Sequence, residues 1–139
     1  HAHQVAAGER LGAGTAASGE YDVVIEAAGT ESALVAAIDH ARPGGTVSIP
    51  AVYWDGIAIP NVMSMFLKEV SLRPSSMYGC SGRHGPDVRE VDEAAALLAA
   101  VPELSEAVIT HRFALDDAPE AFRVAENRSA GAIKVVLEP

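Results

Sequence analysis

The spacing of apolar residues along the chain predicts short strands that alternate with amphipathic helices. Residues 21–28 contain an unbroken apolar run, and residues 46–53 form a second β-like run. Such runs are typical of strands that are buried on both faces of a parallel sheet. Between them lies a predicted helix, which begins after the capping residue Thr30 and ends at Pro43-Gly44-Gly45. Its apolar face is formed by Leu34, Ala37, Ile38 and Ala41.

The same periodicities predict elements in the rest of the chain. Further strands are expected at 15–17, 70–78, 107–113 and 132–137. Further helices are expected at 3–11, 62–68, 87–100 and from Leu115 to about Asn127. Alternation of this kind indicates an α/β fold in which helices cover both faces of a parallel sheet. The last two strands could belong to another layer.

Composition narrows the class of protein. The 139 residues are 49% hydrophobic and 21% charged, which indicates a packed core in one domain or part of one. No apolar run approaches the roughly 20 residues of a membrane-spanning helix, so no membrane partner is expected. The net charge of −9 disfavours nucleic acid. The chain starts at His1, within helical-looking sequence, and we therefore expect further polypeptide upstream.

Motifs that would identify a catalytic site are missing from the sequence. Gly12, Gly14 and Gly19 lack G-x-G-x-x-G spacing and precede a strand, so they are interpreted as a helix stop and a turn. The single cysteine, Cys80, excludes a disulfide within the chain and a cysteine zinc cage, and it fits a reducing cytoplasm. No histidine has metal-ligand spacing, and each is expected to be structural or solvated. The histidines are His1, His3, His40, His84 and His111.

The ends of the predicted strands are the best candidates for a binding site. In open parallel sheets, ligands bind in the crevice beyond the carboxyl ends of the strands. The three ends that matter are 27–30, 50–53 and 75–78. Their small residues would let a flat ligand approach the backbone, but they would equally permit tight turns. The residue pattern alone leaves both interpretations open.

Five segments from residue 21 onward occur in a characteristic order, namely YDVVIEAAGT (21–30), RPGGTVSIPAVY (42–53), LKEVSLRPSSMYG (67–79), VITHRFALDDAPEAF (108–122) and AIKVVLEP (132–139). In these segments the chain resembles the C-terminal part of zinc-type medium-chain alcohol, polyol and threonine dehydrogenases. Zinc-free quinone or enoyl reductases of the same superfamily are the alternative.

The resemblance implies a partial Rossmann-type parallel sheet. Residues 1–80 would form an incomplete dinucleotide-binding domain, and 81–139 a helix-strand-helix-strand segment that returns to a catalytic domain. Residues 1–14 would be the helix after the second strand of the family. The third to sixth strands would be 15–18, 21–28, 46–53 and 70–78.

The resemblance also implies a nicotinamide cofactor, with NAD and NADP left as alternatives. Ala28, Gly29 and Thr30 would lie beside its adenosine half, and Lys134 near its pyrophosphate. Five residues would line the nicotinamide, namely Pro50, Ala51, Val52, Ser75 and Ser76.

The family chemistry is hydride transfer between an alcohol or polyol and NAD(P), with zinc held by a catalytic domain that these 139 residues lack. The chain is therefore expected to contribute no catalytic or metal-binding residue and to be inactive alone. The alternative is a non-catalytic nucleotide-binding or assembly fragment. A homo-oligomer is expected through the edge strand 70–78. The open edge of the 21–28 strand would invite pairing with another chain.

Overall fold

The chain folds into two units in the computed structural model, which describes residues 1–14, 16–59, 62–75, 89–127 and 129–139. One unit comprises Ala17–Gly79, and the other comprises His1–Ala16 together with Cys80–Pro139. The helices are α1 (Ala2–Arg10), α2 (Glu31–His40), α3 (Val62–Leu67), α4 (Glu90–Ala100), α5 (Pro102–Val108) and α6 (Ala118–Glu126). The strands are β1 (Tyr21–Ile25), β2 (Ala41–Ile49), β3 (Ser71–Pro74), β4 (Ile109–Ala114) and β5 (Lys134–Glu138).

A parallel sheet with the strand order β1-β2-β3 forms the frame of the 17–79 unit. Ile25 is paired with Ser48, and Ile49 with Pro74. Because these pairs lie at the ends of parallel strands, the carboxyl ends of all three strands meet at one edge of the sheet. The loops that follow the strands therefore start side by side, and the predicted α/β class is confirmed.

Helix α2 packs on this sheet and supplies three of the seven buried residues of its core cluster. Thr30 caps the helix as predicted, since its Oγ1 accepts a hydrogen bond from the Ala33 amide at 3.2 Å. Ile38 and Val47 are fully buried, and they join the helix to β2. The core cluster consists of Leu34, Ala37, Ile38, Ala41, Val47, Ile49 and Val70. The helical spacing thus marked the buried face correctly at Leu34, Ala37 and Ile38, whereas Ala41 is buried as the first residue of β2.

The strand predicted at 15–18 does not form over 16–18, and Thr15 lies outside the described residues. The backbone of Ser18 bonds a side chain instead of a neighbouring strand: its amide donates to the Tyr21 hydroxyl at 3.2 Å, and its carbonyl accepts from the same hydroxyl. A strand needs a partner for its backbone groups, and in the described part of this sheet the neighbour of β1 is β2 alone.

The junction between α2 and β2 differs from the prediction. The helix ends at His40, and β2 begins at Ala41 and continues irregularly through the segment 42–45. Proline disfavours the helical conformation in the residue that precedes it, which explains why α2 ends before Pro43. Gly45 is required at the irregular turn, because a β-carbon there would stand 2.8 Å from the Arg42 carbonyl oxygen.

The other unit contains a separate two-stranded parallel sheet of β4 and β5. Helix α6 packs on both strands and buries Ala121. The sequence pattern missed α5, which begins with Pro102 in its first turn, where proline is tolerated. Across the described residues, no helix is long and apolar enough to cross a membrane.

Candidate cofactor site at the strand ends

The loops after β1 and β2 touch each other at Gly29. The backbone there has φ of +69°, and a β-carbon would lie 2.9 Å from the Val52 carbonyl oxygen and 3.6 Å from the Ala51 β-carbon. Glycine satisfies both requirements, because it adopts positive φ without strain and has no side chain to collide. The contact holds two of the predicted cofactor segments together.

A groove of about 570 Å³ opens where the loops after β2 and β3 leave the sheet. Its walls include Pro50, Ala51, Val52 and Ser75, and its floor is apolar. Volumes of this size are typical of small-molecule sites. The Ser75 amide donates to the Ile49 carbonyl at 3.0 Å, which holds the two loop starts together. Four of the predicted nicotinamide residues therefore line one groove.

The other predicted residues occupy different places. Ala28 lines a shallow hollow between β1 and α2, and Thr30 uses its side chain as the α2 cap. Lys134 is the first residue of β5, in the other unit, and its side chain is exposed. Ser76 lies outside the described residues.

Glu26 is a buried acidic residue that the sequence analysis did not single out. Its side chain is only 2% exposed. The carboxylate accepts hydrogen bonds from the amides of Ala28 at 2.8 Å and Gly29 at 2.9 Å, and from the hydroxyl of Tyr53. The available signal was a charge that directly follows the apolar run Val23-Val24-Ile25, because a carboxylate that becomes buried needs partners.

The surroundings of Glu26 and Tyr53 change the pKa of both groups. Burial raises the pKa of Glu26, but the hydrogen bonds from Tyr53, Ala28 and Gly29 together outweigh it, so the pKa lies below its usual value. Burial, the hydrogen bond to Glu26 and its negative charge raise the pKa of Tyr53 to about 12. Near neutral pH the pair is therefore a carboxylate and a neutral phenol.

The described residues do not fit a zinc site. They contain no group of three histidine, cysteine or acidic side chains arranged to hold a metal ion. His40 directs Nδ1 to the Gly19 carbonyl at 3.2 Å, and His111 directs Nδ1 to the Thr110 hydroxyl at 3.0 Å. Cys80 and His84 lie outside the described residues.

Comparison with known proteins supports the dehydrogenase resemblance. No family model matches the chain. L-arabinitol 4-dehydrogenase of Hypocrea jecorina is 34% identical over 116 residues, which is 84% of this chain. The chain is a relative of the medium-chain alcohol and polyol dehydrogenases. The match spans 28% of the Hypocrea protein, so the chain corresponds to less than a third of that dehydrogenase.

Solved dehydrogenase structures share this fold. A structure described as a zinc-binding dehydrogenase of Sinorhizobium meliloti bound to NADP has a TM-score of 0.64 and 28% identity, covering 88% of this chain and 33% of that one. An alcohol dehydrogenase of Thermotoga maritima has a TM-score of 0.66, covering 99% of this chain and 34% of that one. At 22% identity, the Thermotoga structure supports the fold alone.

Proposed function

We propose that the 17–79 unit supplies the nicotinamide-cofactor surface of an alcohol or polyol oxidoreductase. The observation that carries this proposal is the groove at the strand ends, lined by the loops after β2 and β3 and adjoined by Gly29. Ligands bind at this edge in parallel α/β sheets. The L-arabinitol 4-dehydrogenase similarity supports the class of substrate.

Each predicted residue has a role in this proposal. Pro50, Ala51, Val52, Ser75 and Ser76 line the nicotinamide, with their backbone groups facing its carboxamide. Ala28, Gly29 and Thr30 lie beside the adenosine half, and Lys134 beside the pyrophosphate. When bound, NAD or NADP would accept the hydride from the alcohol. The apolar groove would orient the ring and keep water away from it.

Oxidation of an alcohol by the whole enzyme would need zinc ligands and a glycine-rich loop for the cofactor phosphates. Zinc ligands are missing from the described residues, and a G-x-G-x-x-G loop is missing from the sequence. We therefore propose that zinc is bound by a catalytic domain on additional polypeptide and that the 139-residue chain alone does not turn over alcohols. Stoichiometric zinc in an active longer form would support the zinc-type enzyme over a zinc-free reductase.

Fluorescence of the single tryptophan offers a direct test of cofactor binding. Trp54 is 88% exposed and lies two residues after Val52 at the groove. Tryptophan emission overlaps NADH absorption, so bound NADH should quench Trp54 and emit in its place. We expect saturable energy transfer with NADH or NADPH, competed by the oxidised form. A signal that stays linear in NADH concentration would contradict a site here.

We also propose a cytoplasmic homodimer. The support for dimerisation is that β3 forms one edge of the described sheet, where a second β3 could pair. The single cysteine is compatible with a reducing compartment. Sedimentation equilibrium should give twice the 14.4 kDa chain mass, and a monomer at tens of micromolar would contradict the dimer.

A further inference from the structure

We infer that Glu26 is a positioning residue of this site, whose carboxylate fixes the turn after β1 relative to the loop after β2. The inference rests on the proposed function, because the two segments it joins carry the proposed cofactor contacts. Glu26 itself is buried beneath them, and we assign it no contact with the cofactor.

The hydrogen bonds of Glu26 divide between the two segments. Oε1 accepts from the amides of Ala28 and Gly29, so one oxygen fixes the turn. Oε2 accepts from the hydroxyl of Tyr53, which follows Val52 directly. The Glu26 backbone is anchored as well, since its amide donates to the Ser48 carbonyl at 2.8 Å. The carboxylate therefore links both segments to β2.

Fold stability alone is a poor explanation for this arrangement. Burying a carboxylate costs solvation, and replacing buried charged groups by apolar side chains is often neutral or stabilising. What an apolar residue could not provide is the alignment of two amides and a phenol around one carboxylate. Precise alignment of supporting groups matters most at binding sites.

The geometry also explains why the two segments can approach so closely. The carboxylate accepts hydrogen bonds from the amides of Ala28 and Gly29 in the turn after β1. It also accepts one from the hydroxyl of Tyr53 in the loop after β2, so both segments are held close to Glu26. Gly29 then meets the Val52 carbonyl at a distance that leaves no room for a β-carbon. Loosening the Glu26–Tyr53 bond should widen this contact and shift the groove wall at Val52.

The test uses Tyr53→Phe in the 139-residue chain, which removes the link between the loops but leaves the two amide bonds of Glu26. The matched control is Tyr21→Phe, because the Tyr21 hydroxyl bonds only the backbone of Ser18 among the contacts described. Three quantities are measured: NADH affinity by energy transfer from Trp54, unfolding by urea, and the NMR amide signals of Ala28 and Gly29.

We expect Tyr53→Phe to weaken NADH binding roughly fivefold, in line with the loss of one charge-assisted hydrogen bond, and Tyr21→Phe to leave it unchanged. The Gly29 amide signal should shift in Tyr53→Phe alone. In a Glu26→Gln background, Tyr53→Phe should have a smaller effect on binding, because the charged acceptor is already gone.

Two results would count against the inference, and they differ from failure of the proposed function. Reduced stability in Tyr53→Phe with unchanged NADH affinity would assign the bond to the fold alone and overturn it. If the unsubstituted chain binds neither NADH nor NADPH, the proposed function fails. In that case the NMR amide signals still test the link between the loops. If the Gly29 amide signal does not shift in Tyr53→Phe, Glu26 and Tyr53 do not link the loops.

Discussion

Gly29 and Val52 approach so closely that a β-carbon on Gly29 would lie 2.9 Å from the Val52 carbonyl oxygen. The two residues are separated by the whole of α2 and β2, yet each directly follows the carboxyl-end region of a neighbouring strand. Their contact closes the edge of the sheet beside the proposed cofactor groove. A substitution at Gly29 therefore tests the fold and the site together.

Gly29→Ala should destabilise the 17–79 unit by about 2–3 kcal/mol, from positive φ and the collision with Val52. The matched control is Gly56→Ala, which has φ of +75° but no heavy atom within 4 Å of the added carbon. We expect the control to cost only about 1 kcal/mol. Urea unfolding followed by far-ultraviolet circular dichroism measures both. Equal losses would mean that the contact with Val52 has no energetic effect.

The pair of Glu26 and Tyr53 predicts a loss of stability at both extremes of pH. The pKa of Tyr53 is raised to about 12 from 10.0, so its contribution is complete below pH 10 and is lost as pH rises towards 12. The pKa of Glu26 is lowered from 4.5, so its contribution is present above that value and is lost as pH falls below it.

Variants separate these two effects. Between pH 10 and 12, the unsubstituted chain should lose stability relative to Tyr53→Phe, which has no phenol to ionise. Ultraviolet difference titration should show one phenol near 12 that disappears in Tyr53→Phe. On the acid side, Glu26→Gln should flatten the decline below pH 4.5. A Tyr53 titration at its usual value would contradict the hydrogen bond to Glu26.

Sequence patterns identified the structural elements that depend on interactions between residues close together in the sequence. The cap at Thr30 and the apolar face of α2 depend on neighbours within a few residues, so periodicity located them. The strand at 15–18 was wrong because strand formation depends on a partner, and the backbone of Ser18 bonds Tyr21 instead. Local β-like sequence cannot reveal whether such a partner exists.

The candidate site was predicted in outline, but the contacts that shape it were not. Parallel pairing brought the loops after β2 and β3 to one groove, as strand order alone suggested. The bond between Glu26 and Tyr53 spans 27 residues, and no spacing rule connects them. All of the predicted cofactor contacts remain predictions, since their chemistry depends on where the ligand lies.

Lys68 stabilises the start of β2 through contacts with residues that are distant from it in the sequence. Its ammonium donates to the carbonyls of Asp39 at 2.8 Å and Ala41 at 3.0 Å, and it pairs with Glu20 at 2.9 Å. Lys68→Met should lower the free energy of unfolding by about 2 kcal/mol, mainly through the two carbonyls left without a charged donor. The ion pair with Glu20 is partly open to water and contributes less.

Lys134→Met is the matched control for that substitution, because it removes the chain's other lysine from an exposed position on β5. We expect a change within about 0.5 kcal/mol for the unliganded chain. The same variant should weaken NADPH binding if Lys134 lies near the pyrophosphate. Equal destabilisation by both variants would show that the Lys68 contacts do not hold the α2–β2 junction.

Ile38 and Ile25 give the sharpest contrast in burial for one residue type. Ile38 is fully buried between α2 and the sheet, whereas Ile25 at the end of β1 is 69% exposed. Ile38→Ala should cost roughly 2–5 kcal/mol, from lost apolar burial and the cavity left behind, and Ile25→Ala within about 0.5 kcal/mol. Urea unfolding of both variants measures the difference. If Ile25→Ala were as costly as Ile38→Ala, that side of β1 would have to be covered in solution by another part of the protein or by a second chain.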